Sequence, residues 1–119
     1  MIDVERVDFV TIPTRDPDRA RAFYHETLGL PLDENNPSEV SAGQVTLAFW
    51  NPESEGLELS PNQGGIALRV SDVARARAVL EAKGVEFQGE TDSGVCNMAF
   101  CTDPDGNYVI LHRRYKPYE

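Results

Sequence analysis

Apolar and polar positions alternate over short stretches of this chain, and in two places the period lengthens to that of a helix. Val7 to Thr14 is rich in β-branched residues and alternates as a strand. Asp16 then stands at an N-cap position with Pro17 at the first helical position. Ala20, Phe23, Tyr24 and Leu28 follow at helical spacing, and Gly29 supplies the stop. Val45 to Trp50 and Leu57 to Leu59 are predicted strands on either side of the turn-prone segment 51–56, with a further strand around Glu39 to Ala42. The order then restarts. Gly65 to Val70 is a strand, Asp72 an N-cap, and Val73 to Lys83 a helix with Ala76, Val79 and Leu80 inward, closed by Gly84. Val85 to Gln88, Val95 to Thr102 and Tyr108 to Arg113 are three more strands, the last two joined across an Asp-Pro-Asp-Gly-Asn turn at 103–107.

A shift of 56 residues overlays the halves: Asp16 falls on Asp72, Arg19 on Arg75, and Ala20-Arg21-Ala22 on Ala76-Arg77-Ala78. Gly29 and Gly84 agree within one residue. This ordered set of matches indicates a duplicated unit.

Alternation also assigns faces. One face is aliphatic: Val10 and Ile12, Val45, Leu47 and Phe49, Ile66 and Leu68, Val109 and Leu111. The other carries Phe9, Thr11, Trp50, Glu58, Arg69, Ile110 and His112. A fully solvated face rarely collects Phe, Trp and Ile, so this one either binds a small molecule or packs on a second copy or partner.

Length fits one domain over 1–119, with module one at about 5–60 and module two at about 64–115. Twenty acidic residues against eleven basic ones give a net charge of −9, which repels phosphate backbones and anionic lipid and argues against nucleic-acid or membrane partners. No apolar run reaches the roughly 20 residues of a membrane span, and the start lacks a signal-peptide pattern, so the cytoplasm is the expected compartment. Cys96 and Cys101, five apart in one predicted strand, point to opposite faces roughly 17 Å apart at about 3.4 Å per residue, and are expected as buried reduced thiols.

These residues resemble the vicinal oxygen chelate superfamily, which includes glyoxalase I, extradiol dioxygenases, fosfomycin-resistance enzymes and bleomycin-binding proteins. The resemblance is carried by Val7-Asp8-Phe9-Val10 with Asp16-Pro17, by Phe23-Tyr24 and Leu28-Gly29-Leu30, by segment 65–70 with Asp72, and by the 103–107 turn. It implies an α+β fold of tandem βαβββ modules whose mixed sheets curl into a cup with helices outside, and a homodimer. Metal-dependent relatives carry His, Glu, His and Glu on these strands. The matching positions here hold Phe9 and Gly65 for the histidines and Ile110 for the last Glu, leaving Glu58 as the one ligand-type side chain. A catalytic divalent metal needs about three protein ligands, so no metal and no cofactor are expected.

The expected function is therefore metal-free sequestration of a partly aromatic small molecule, with Phe9 and Trp50 stacking, Ile110 apolar, and Thr11, Glu58, Arg69 and His112 polar. One alternative is a glyoxalase-like lyase or isomerase using Glu58 and His112 as acid and base, metal-free or with a relocated divalent metal. The other is a non-catalytic dimeric regulatory subunit. His25 is predicted on the surface. A Cys–His nucleophile would need Cys96 to face His112, which the register of the 95–113 hairpin decides.

Overall fold

The computed structural model describes residues 1–118, which divide into two compact units, Met1–Leu59 and the residues from Ser60 onward. Both are α+β.

In the first unit, β1 (Phe9–Pro13) leads into α1 (Pro17–Ala22), and β2 (Val40–Ala42) and β3 (Val45–Trp50) form a hairpin. The sheet is mixed, in the order β1-β3-β2, with β1 and β3 parallel. The helix starts where the capping signal predicts: Asp16 is extended and its carboxylate accepts from the Arg19 N–H at 3.1 Å. Downstream, Phe23–Thr27 is a π-helical turn, with the Leu28 N–H bonded to the Phe23 carbonyl at 2.9 Å. Such a turn accommodates one inserted residue. That residue is why Gly29 lies thirteen positions past its N-cap while Gly84 lies twelve past Asp72. Tyr24, fully buried, packs its ring 5.3 Å from Phe49, and with Ala20, Leu47, Val40 and Ile12 it forms the core between helix and sheet.

The second unit contains β4 (Ile66–Arg69), α2 (Val73–Ala82), β5 (Phe87–Asp92), β6 (Cys96–Thr102) and β7 (Tyr108–Arg114). Its four-stranded mixed sheet runs β4-β7-β6-β5, with β4 and β7 parallel. The Asp72 cap repeats the Asp16 geometry, accepting from the Arg75 N–H at 3.0 Å. Val73, Leu80, Ala99, Cys101, Val109 and Leu111 make this core. The 103–107 turn is locked from within. Buried Asp103 accepts from the N–H groups of Asp105 and Asn107 and from the Asn107 amide, each at 2.9 Å, and the Asn107 side-chain oxygen accepts from the Asn62 N–H at 2.8 Å. The start of β7 is thereby fixed.

Four expectations require correction. Leu57 to Leu59 is not a strand, and the outer edge of the first sheet carries instead an antiparallel bridge from Leu32 to Val40. The Leu57 N–H turns back to the Pro52 carbonyl at 3.0 Å behind a left-handed Gly56, leaving Leu57 54% exposed. Val79 is 51% exposed, because the inward stripe of α2 runs through Val73, Ala76, the stem of Arg77 and Leu80. The strand expected at Val85 to Gln88 begins at Phe87, since the Val85 N–H still closes the helix on Leu80, and it continues to Asp92. Of the two cysteines, both free, only Cys101 is buried, while Cys96 is half-buried.

Candidate functional site

Each sheet covers its aliphatic face with its helix and leaves the other face without a helical cover within its own unit. In the first sheet the ladder pairs Phe9 with Thr46, Thr11 with Ala48 and Pro13 with Trp50, so these six share that face. Phe9 is 58% and Trp50 37% exposed, with Thr11 exposed between them. At one end lies a group that sequence reasoning missed. The Asp33 carboxylate accepts from the Asn35 and Asn36 N–H groups and from the hydroxyls of Ser41 and Thr46, at 2.9 to 3.3 Å. The Asn35 bond, followed by the others, holds its carboxyl below the usual range against partial desolvation. The signal for it was the Asp-Glu-Asn-Asn turn itself. Glu58 is exposed, outside any strand, and stands apart from this ladder.

In the second sheet Arg69 pairs with His112 and Ala67 with Ile110. Across the hairpin Met98 pairs with His112, Phe100 with Ile110, and Cys96 with Arg114. Arg69, Ile110 and His112 thus share one face. Cys96 lies on it too, but Met98 occupies the place directly opposite His112, so the register puts no thiol there. Cys101 belongs to the buried face, where desolvation, assisted by the nearby Asp103 charge, pushes its thiol up to about 11. His25 is half-buried rather than on the open surface, its Nδ1 2.7 Å from the Leu30 carbonyl.

The face of the second sheet ends in a cleft of about 480 Å³ lined by Arg69, His112, Arg114, Lys116 and the tail residues Tyr115 and Tyr118, with Pro117. The tail 114–118 carried a readable signal, a basic and aromatic run in an acidic chain with Arg114 in step with Ile110 and His112, which the strand boundary at Arg113 concealed. The Arg114 guanidinium lies 4.0 Å over the Tyr118 ring. The Tyr115 hydroxyl donates to Asp92 at 2.7 Å, which holds the Asp92 carboxyl low and raises the phenol.

The profile of the Glyoxalase/Bleomycin resistance protein/Dioxygenase superfamily matches residues 6–111. The chain belongs to this superfamily. Among solved structures it is similar to TnmS3, an antibiotic binding protein from Streptomyces sp. CB03234, at 25% identity and a TM-score of 0.79, over 96% of this chain and 99% of that one. A superfamily member from Sphaerobacter thermophilus is likewise 25% identical, with a TM-score of 0.74 over 92% of this chain and 97% of that one. Lactoylglutathione lyase from Agrobacterium tumefaciens shares the fold at 18% identity, with a TM-score of 0.74 over 92% of this chain and 93% of that one. No curated protein matches.

Membership raises the question of a metal, and the donor set does not fit one. Val10 pairs with Leu47 as Ile66 pairs with Val109, so the 56-residue overlay of β1 on β4 carries Ala48 onto Ile110. The first-unit ladder position equivalent to Ile110 is therefore Ala48. Phe9, Ala48, Gly65 and Ile110 offer no donor atom in their side chains. Gly65 is closed as well: a Cβ there would lie 3.1 Å from Ile110 Cδ1 and 3.3 Å from Tyr108 Cβ, at φ +85°. Among the described residues no three His, Cys, Asp or Glu side chains cluster as metal ligands.

Proposed function

We propose that this superfamily member is a metal-independent binding protein that sequesters a partly aromatic small molecule. The observation that carries this reading is the exposed pair Phe9 and Trp50 on one sheet face, with Phe9, Gly65 and Ile110, none of which has a side-chain donor atom, at positions that the resemblance assigns to metal ligands. Phe9 and Trp50 offer stacking and Thr11 a polar contact on the first sheet, and Ile110 offers apolar and Arg69 and His112 polar contacts on the second. The likeness to TnmS3, an antibiotic binding protein, supports a small-molecule ligand. The protein acts as a homodimer in a reducing compartment such as the cytoplasm, in keeping with its two unpaired thiols.

The test is calorimetric titration of polycyclic aromatic antibiotics, together with elemental analysis of the purified protein. Saturable binding without stoichiometric metal, weakened about tenfold in Trp50→Ala by loss of one stacking contact, is the expected result. Stoichiometric nickel, zinc, manganese or iron, or the absence of any binder, would overturn the reading.

A further inference from the structure

Several arginines of this acid-rich chain pair with carboxylates: Arg6, Arg15, Arg21 and Arg77 have acidic partners between 3.1 and 3.5 Å. Arg69, Arg114 and Lys116 line one cleft beside His112 and have no carboxylate partner among the described residues. The carboxylate bonded to a lining residue, Asp92, is taken by the Tyr115 hydroxyl. Three like charges held in one concavity repel one another, and among the described residues no ion pair relieves them. Arg114 adds a sharper mark. Its guanidinium is held against the Tyr118 ring, yet its Nε is buried without a hydrogen-bond partner. A buried donor left unsatisfied is costly, and it marks Arg114 as short of an acceptor.

We infer that this cleft is an oxyanion subsite, which takes a carboxylate, sulfonate or phosphate on an aromatic small molecule, with Arg69, Arg114 and Lys116 as its counter-charges. The inference rests on the aromatic-ligand reading above and specifies its ligand class as anionic. Guanidinium groups suit the task, because their planar fork pairs with two oxygens at once. Tyr115 and Tyr118 give the adjoining ring a surface to pack on. The overall charge of −9 disfavours anions at long range, so recognition depends on this local cluster and weakens with salt.

A matched pair of probes tests this: 8-anilinonaphthalene-1-sulfonate, and N-phenyl-1-naphthylamine, which has the same ring frame without the sulfonate. Both are titrated into the native protein, Arg114→Gln and Arg69→Gln, with folding verified by circular dichroism. The sulfonate probe should bind at least about tenfold more tightly than the neutral one, as expected for a charge-assisted contact. Each substitution and added salt should reduce that advantage. Equal affinity for the two probes, or an advantage that survives both substitutions, overturns the oxyanion subsite and spares the aromatic-ligand reading. Failure of both probes to bind overturns the two together.

Discussion

One rung of the ladder shows how far the two units have diverged on a common frame. In the first unit it joins Pro13 to Trp50, and in the second, 56 residues on for the leading strand, it joins Arg69 to His112. The backbone pairing is the same, parallel and in the same register. The side chains offer a stacking surface in one unit and a cationic one in the other. The contrast continues along the strands, with Phe9 against Gly65 and Ala48 against Ile110. Duplication has therefore kept the hydrogen-bonded scaffold and the helix caps, while the exposed faces took separate chemistries.

The strongest way to probe this contrast is to place one side chain at both overlaid positions. Phe9→His should be nearly neutral, because Phe9 is largely exposed. Gly65→His should cost about 2–4 kcal/mol in urea denaturation, from overpacking against Ile110 and Tyr108 plus strain at positive φ. Similar stabilities for the two variants would break the asymmetry.

A smaller effect sets the second core apart by pH. Cys101 has a folded pKa of about 11 against 9.0 in the free side chain, a rise of about 2 units. The folded state holds its proton more tightly, so this contribution is intact below pH 9 and is lost as pH rises through 11. Linkage puts the loss at about 2–3 kcal/mol, and Cys101→Ala should flatten that part of the stability profile. A profile unchanged by the substitution would remove Cys101 as its source.

The smallest test addresses what the units share. Asp16→Ala and Asp72→Ala should each cost about 1 kcal/mol of unfolding free energy, since the two caps have the same geometry. Markedly unequal losses would show that the helices are anchored differently.

What could be read in the sequence follows from the range of the interactions involved. The caps at Asp16 and Asp72 were legible because a side chain and an N–H three residues on decide them. Strand faces were legible because alternation is strict: Leu47, Val109 and Leu111 are buried, as their spacing requires. Leu57-Glu58-Leu59 alternates just as well, but strand formation also needs a partner, and no local pattern reports one. The same limit hid Ala48. Its equivalence to Ile110 lies in cross-strand pairing. Of the candidate residues, Phe9, Thr11 and Trp50 assemble on one sheet face and Arg69, Ile110 and His112 on another, while the tail residues Arg114 to Tyr118 emerged only with the cleft.

The close approach of Gly65 to Ile110 also constrains the order in which this sequence can change. A mutational path toward a four-donor set meets a cost at position 65, because a Cβ there presses on the isoleucine at positive φ. Shortening residue 110 first lowers that cost, a step that by itself creates no metal site and gives selection nothing to reward. The contact thus works as a ratchet, making a return to metal chemistry harder than further refinement of a binding surface.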